Sequence, residues 1–510
     1  MNKYPLEPSV VLYNTAQIKD IEQRFAENSP DGTYSLMEKA GAVAFQQLTS
    51  NWRDARKIVV ITGKGNNAGD GFVLVRLAAE KRLKISLCLL ADPGDLTGDA
   101  LKAYQSIPHR VVKRVDIDSI KFSEFEVIVD AMLGTGFKGK LAEPYLGTVK
   151  RINTNKVPVL SIDIPTGIEA NTGFVHNEAV RADITTTFVG HKKGMYTGDS
   201  ASYRGRVKLY KLDIADHFYQ QHEFHLFSQN WFSIRHLLKP RKMTCHKGQF
   251  GHTVIIGGYQ GMSGAAILAS TAAARCGSGL TSAWVSEQCA ASLVNHTPEV
   301  MAIRVEKSEI PSQVSELSSA TKTMVVGPGL GQTDWANEWL AAISNDVNIK
   351  DSHQVWDADA LTWLANLDSS HSNKHNRARI LTPHPGEASR LLGITTHAVN
   401  QDRYAAAQKI ADIYGGVCIL KGTGTIIADD KGFQVVCPVG NPGMASGGMG
   451  DVLAGITGGL LAQGFSLMNA AILAVCIHGE AADKAAGKGQ HYRGLLASDL
   501  FDHLPGLLNP

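Results

Sequence analysis

A chain of 510 residues exceeds what one hydrophobic core usually serves and implies more than one domain. With 44% apolar and 19% charged residues it has the make-up of an ordinary globular protein, and a net charge of +2 argues against nucleic acid as the main partner. Seven scattered cysteines read as reduced thiols in the cytoplasm; the N-terminus lacks the apolar core of a signal peptide, and no run of about 18 apolar residues offers a membrane span.

Strand-like apolar runs alternate with helix-patterned stretches, which predicts a parallel α/β fold with ligands at the strand C-termini. The first run, Lys57–Thr62, leads into a glycine-rich loop, Gly63 to Gly71, and then a helical stretch over Phe72–Lys81. Gly63-x-Gly65-x-x-Ala68 fits the dinucleotide fingerprint, so a plain NAD-binding Rossmann module is one reading. That fingerprint has no use for Asn66, Asn67 and Asp70. Their oxygens suit a cation or a ligand's hydroxyls, although Asx turns would use the same residues. After Ile85–Leu90, the run Val127–Asp130 precedes Gly134-Thr135-Gly136-Phe137-Lys138-Gly139-Lys140. The spacing is that of a Walker A loop, but Leu141 stands where Ser or Thr would hold magnesium, which excludes a P-loop NTPase. The loop still offers backbone N–H groups and two lysines to a phosphate. Val157–Asp163 ends on Asp163 before Ile164-Pro165-Thr166-Gly167; alone, Asp163 reads equally as a loop-bracing carboxylate.

The aperiodic segment 216–229 reads as a connection, with a boundary near residue 225 and domains over 1–225 and 226–510. A second series follows: His252–Gly258, the small-residue helix Gly264–Arg275, then Leu280–Val285, Thr323–Val326 and Val417–Leu420, with a buried helix over Ala470–Ala486. Its loops include Gly327 to Gly331, Trp356-Asp357-Ala358-Asp359, His384-Pro385-Gly386-Glu387 and Lys421-Gly422-Thr423-Gly424-Thr425. Asn441 to Asp451 carries Gly447-Gly448-Met449-Gly450 directly before a helical run, Val452–Leu461. Consecutive amides at a helix N-terminus make an anion hole, and Asp451 beside it can take a proton from an attacking hydroxyl. The bland alternative is an N-cap aspartate after a flexible turn.

The run Asn66 to Gly71, with Asp130, Gly134-Thr135-Gly136 and Asp163-Ile-Pro-Thr166-Gly167, resembles the NAD(P)H-hydrate epimerase family over roughly 10–215. The resemblance implies a Rossmann-like three-layer sandwich. It places Asn66, Asn67, Ala68, Gly69, Asp70, Gly134, Thr135, Gly136, Phe137, Lys138, Gly139, Lys140 and Asp163 around the hydrated dinucleotide. It also implies a potassium ion on Asn67, Asp130 and Thr166, and Asp163 is the candidate acid–base residue. Ala68 and Thr166 depart from the usual Gly and Ser. The loops of the second half resemble the ADP/ATP-dependent NAD(P)H-hydrate dehydratase family, of ribokinase-like fold, over roughly 230–505. By that resemblance Ala265, Gly329, His384 and Asp451 contact the hydrate, and Lys421, Gly422, Thr423, Gly424, Thr425 and Gly450 contact the nucleotide. Asp451 is the base and magnesium bridges the phosphates. Met449 stands where Thr is common. Together the two likenesses imply repair of hydrated NADH and NADPH (NADHX and NADPHX), at the cost of ADP or ATP, by a homo-oligomer. Two alternatives use the same residues: a ribokinase-like small-molecule kinase fused to a dinucleotide-binding module, and an NAD-sensing scaffold.

Overall fold

The computed structural model describes residues 10–220, 226–318, 323–346, 349, 352–367, 378–487 and 491–510. The described residues fall into two compact units, 11–220 and 226–510, with Val10 grouped with the second. The boundary read near residue 225 lies outside the described residues. Leu226–Ser228, read as part of the connection, is a strand of the second unit.

The strands of the first unit are β1 (Val10–Tyr13), β2 (Lys57–Thr62), β3 (Lys84–Leu89), β4 (Lys113–Arg114), β5 (Val127–Ala131), β6 (Val159–Ile162), β7 (Ile184–Phe188), β8 (His191–Lys192) and β9 (Arg206–Tyr210). Seven form a sheet in the order β4-β3-β2-β5-β6-β7-β9, every pair parallel. β1 and β8 pair with each other, Leu12 against His191. β2 reads Lys-Ile-Val-Val-Ile-Thr, a β-branched run buried on both faces, as an interior parallel strand must be. Ile58 and Val60 enter one apolar core with Phe72 and Leu74 of the Asn66–Glu80 helix. Val59 and Ile61 enter another with Val149 and Ile152 of the Tyr145–Asn153 helix. Two cores on opposite faces of one sheet make the three layers. Strand order reverses between β2 and β5, the place at which parallel sheets of this kind take their ligands.

In the second unit the strands are β10 (Leu226–Ser228), β11 (His252–Ile256), β12 (Leu280–Val285), β13 (Met301–Arg304), β14 (Thr323–Val326), β15 (Gln354–Trp356), β16 (Arg379–Leu381), β17 (Val417–Leu420), β18 (Thr425–Asp429) and β19 (Gln434–Cys437). The order is β13-β12-β11-β14-β15-β16-β17-β18-β19-β10. It is parallel as far as β17; β18 and β19 are antiparallel, and β10 runs parallel to β19. The core surrounds two almost wholly buried helices, Met449–Ala462 and Leu467–Ala485. The first touches the Ser263–Arg275 helix backbone to backbone. A Cβ on Gly455 would lie 2.1 Å from the Ala269 carbonyl oxygen, and one on Gly459 2.8 Å from that of Ala273. On the sheet side, a Cβ on Gly458 would lie 2.3 Å from Val325 Cγ2.

Two local readings change. The helix expected from Phe72 starts at Asn66, so Asn66 to Asp70 form its first turns rather than a loop before it. Gly65 supplies the extended backbone that lets the chain turn so early. The Lys421 to Thr425 stretch is the turn of a hairpin, with Leu420 opposite Ile426. Among the described residues no helix is long and apolar enough to cross a membrane.

Candidate functional sites

In the first unit, β2 delivers the chain to Gly63, where a Cβ would lie 2.4 Å from the Met132 carbonyl oxygen beside β5. The Asn66–Glu80 helix then begins at Gly65 with no side-chain cap, so its positive end stays available to an anion. The turn after β5 covers this end: a Cβ on Gly134 would lie 3.2 Å from Asn67 Cβ. Asn67 is buried, 7% exposed, yet neither its Oδ1 nor its Nδ2 has a hydrogen-bond partner among the described residues. Leaving such an amide unsatisfied costs about 1–3 kcal/mol.

Asp130, at the end of β5, is fully buried. Its Oδ1 accepts from Thr166 Oγ1 (2.7 Å) and the Met132 amide (3.3 Å); its Oδ2 accepts from Ser161 Oγ and the Thr166 amide, both 2.9 Å. Burial raises its pKa even against these donors. Thr166 Oγ1 also accepts from the Leu133 amide (3.0 Å), tying the β5 turn to the β6 turn. The loop from Gly134 to Lys140 is less open than its sequence implies. The Phe137 amide closes onto the Gly134 carbonyl (3.1 Å), and the Gly139 amide donates to Glu169 Oε1 (2.9 Å). Glu169 is held in turn by His176 Nε2 (2.8 Å), so a carboxylate occupies the place where a phosphate was expected at Gly139. Lys138 and Lys140 remain exposed.

Asp163 follows β6 with φ +64, an uncommon backbone for a residue with a Cβ. Its carboxylate pairs with Lys192 of β8, which is 1% exposed and also donates to Thr187 Oγ1 (2.9 Å) and the Phe188 carbonyl (2.7 Å). Two more carboxyls sense this pair. Burial pushes Glu22 up to about 7, against the pull of Lys192. Burial, then Asp163 and Glu22, hold Asp70 well above the carboxylate range. Asp163, the buried Lys192, Glu22 and Asp70 thus share one neighbourhood. Sequence reasoning missed Lys192 and Glu22; the only signal was the polar pair His191-Lys192 just after the apolar end of β7.

In the second unit, β17 ends beside Lys421, whose Nζ lies 2.8 Å from Asp357 Oδ1 and 3.8 Å from Glu387 Oε2. Burial opposes its charge, but Asp357, Glu387 and Asp451 raise its pKa above the usual value. Asp357 follows β15, Glu387 lies in the first turn of the Pro385–Leu392 helix, and Asp451 lies in the first turn of Met449–Ala462. A Cβ on Gly450 would stand 3.2 Å from Lys421 Nζ and 3.6 Å from Asp357 Oδ2, so the ion pair sits against the N-terminal turn that carries Asp451. Burial, then Asp357, push Asp451 up to about 7; Lys421 opposes them.

Of the remaining predicted residues, His384 lies within the field of Lys421 and Asp357. A Cβ on Gly329 (φ +60) would lie 3.0 Å from Ala265 Cβ, so those two are neighbours. His384 caps the Pro385–Leu392 helix: its Nδ1 accepts from the Gly386 amide (3.0 Å), and its own amide donates to Glu387 Oε2 (2.8 Å). Burial and the nearby Lys421 lower its pKa. Gly422 and Thr423 are exposed at the hairpin turn, and Thr425 Oγ1 closes it on the Gly422 carbonyl (3.0 Å). Lys421 points instead into the carboxylates. Upstream of the helix, Asp483 accepts from the Gly440 amide (3.1 Å) and Asn441 Nδ2 (2.9 Å), anchoring the Asn441 to Gly450 segment.

The family model described as NAD(P)H-hydrate dehydratase matches residues 253–506, and that of the YjeF-related protein N-terminus matches 33–194. A bifunctional NAD(P)H-hydrate repair enzyme of Coxiella burnetii is 41% identical over 98% of this chain and 100% of its own length. The chain belongs to the family of bifunctional NAD(P)H-hydrate repair enzymes. The family's Escherichia coli member is 37% identical over 100% of this chain and 96% of its own. A ribokinase-like superfamily protein of Enterococcus faecalis superposes with a TM-score of 0.50 at 26% identity, over 56% of this chain and 97% of that one. Within the family frame, the two matched segments fall one in each compact unit.

Proposed function

We propose that the chain restores hydrated NADH and NADPH, the first unit interconverting the R and S hydrates at nicotinamide C6 and the second dehydrating the S form at the expense of ADP or ATP. The observation that carries the dehydratase reading is Asp451: a carboxyl near neutrality, in the first turn of a buried helix, against the Lys421–Asp357 pair. In this reading Asp451 takes the C6 hydroxyl proton as that oxygen attacks the terminal phosphoryl group. The amides of Gly447 to Gly450 and the ammonium of Lys421 hold the developing negative charge. The terminal P–O bond of the nucleotide breaks in that transfer, leaving AMP from ADP or ADP from ATP. The C6–O bond then breaks with electron push from the ring nitrogen, releasing phosphate, and the resulting iminium loses a C5 proton to water to give the dihydronicotinamide. Ala265, Gly329 and His384 border the ring, while Gly422 to Thr425 and Gly450 take the nucleotide. Magnesium, when bound with the nucleotide, neutralises its phosphates.

For the epimerase, the orphaned amide of Asn67 fits a ligand or cation held by oxygen donors, with Asp130 as the single charge and Thr166 linking it to the next turn. Potassium suits such a weak-field set. The dinucleotide lies between the Asn66 to Asp70 turn and the Gly134 to Lys140 loop. Asp163, fixed by Lys192, exchanges a proton at the ring, and Asp70 holds one in reserve. The assembly is homo-oligomeric and cytoplasmic in this proposal.

The test is incubation of a mixed R/S hydrate with ADP and, separately, ATP, followed at the absorbance of reduced nicotinamide. Recovery of the whole mixture supports both activities. Recovery that stalls at the S fraction removes the epimerase, and accumulation of a stable phosphorylated alcohol turns the second unit into a kinase.

A further inference from the structure

Arg403 opens the Arg403–Tyr414 helix, the end at which the helix dipole disfavours a cation. It is nevertheless 3% exposed. Its Nη2 donates to the carbonyls of Leu420 and Lys421, each at 3.2 Å, which are the last residue of β17 and the first of the hairpin turn. The guanidinium also lies close against the next residue. A Cβ on Gly422 would be 3.0 Å from both Nη1 and Nη2. Gly422 has φ +136, a backbone that side-chain-bearing residues rarely adopt. The absent Cβ and the permitted φ together let a full charge reach the main chain of the turn. Above it, Gly422 and Thr423 are exposed. A buried cation is costly unless its hydrogen bonds and its field are used. Two of those hydrogen bonds go here to the start of the turn.

We propose that Arg403 is a positioning residue for the nucleotide: it fixes the Lys421 to Thr425 turn through its two carbonyls and supplies, from beneath, positive potential that draws the nucleotide phosphate onto it. Arg403 acts through the turn and does not touch the reacting atoms. The same charge lies next to the backbone of Lys421, so it also favours orientation of that side chain away from the turn and towards Asp357 and Glu387. This inference rests on the dehydratase reading and adds to it a residue that no loop motif contains.

The test compares the full chain with Arg403→Gln and Arg403→Lys, by calorimetric ADP binding without hydrate and by steady-state dehydration of S hydrate. Arg403→Gln is expected to weaken ADP affinity and raise KM for ADP about tenfold or more, with KM for the hydrate within about twofold. The salt dependence of ADP binding should flatten, because one buried charge is gone. Arg403→Lys should fall between, since it keeps the charge and loses the two-carbonyl fork. Equal losses for ADP and hydrate, or parent-like ADP affinity in both variants, overturn the proposal. Should the Gln variant fail to fold, unchanged ADP affinity in Arg403→Lys overturns it. If the unaltered chain binds neither ADP nor ATP, it is the dehydratase reading that fails.

Discussion

Asp451 combines two demands that pull against each other. A general base works best near the operating pH, and burial beside Asp357 places Asp451 at about 7. Dehydration of S hydrate, measured as kcat/KM, should therefore rise with pH through about 7 and then level. Asp451→Asn should lower it by roughly 10²–10⁴ while nucleotide binding and epimerisation persist. The same shift costs stability. The folded state holds a proton that the unfolded chain releases near 4, so stability falls as pH rises from there towards 7. Asp451→Asn removes that penalty and should melt later than the parent at pH 8, by on the order of 1 kcal/mol or more. A second residue separates activity from stability in another way. Asn67→Ala deletes a buried amide that no described residue satisfies, so melting should change little. Epimerisation and its response when potassium is replaced by choline should both drop. Asn67, Asp163 and Asp451 were visible in the sequence because each stands in a compact motif at a strand or helix end. Glu22 and Lys192 were not: Glu22 lies far along the chain and meets Asp163 only through the fold. Arg403 stands in no motif and meets the Lys421 turn only through the fold.

Among the elements, parallel strands were the most legible, since an interior strand writes its burial on both faces as an unbroken β-branched run. Turns were less so. Lys421 to Thr425 carries glycines and threonines that fit a phosphate loop, and that the same turn also closes a hairpin shows only in the antiparallel pairing of β17 with β18. The Gly134 to Lys140 loop shows the converse, because nothing local predicts that Glu169 takes the Gly139 amide. The Asn441 to Gly450 segment depends on one distant carboxylate in the same manner. Asp483→Ala should free the Gly440 amide and the Asn441 side chain, lowering stability by about 1–3 kcal/mol. Dehydration should fall with it and epimerisation should not; thermal unfolding and the two assays run in parallel check this.

For the whole molecule, a hydrophobic core of its own and a run of parallel strands of its own make each unit a candidate for independent folding. A cut between residues 220 and 226 leaves Leu226–Ser228 in place against β19. The two pieces should be folded and individually active. The C-terminal piece alone should consume the S fraction of a mixed hydrate and stall, and addition of the N-terminal piece should carry the reaction to completion. Consumption of the whole mixture by the C-terminal piece, faster than the hydrates interconvert unaided, would show that the division of labour is wrong.

The glycine contacts of the Met449–Ala462 helix bear on how such an enzyme can diverge. Gly455 and Gly459 lie against the main chain of the helix that bears Ala265, and Gly458 against Val325. Neither helix can slide or widen its separation without opening a gap. The span from Asp451 to Ala265 is thereby a fixed length, inherited as a unit. Adaptation to a larger or smaller acceptor has to come from the flanking turns at Gly329 and His384. In a saturation library selected for hydrate repair, even alanine at 455, 458 and 459 should be depleted, as strongly as asparagine at 451, although none of the three glycines touches a ligand.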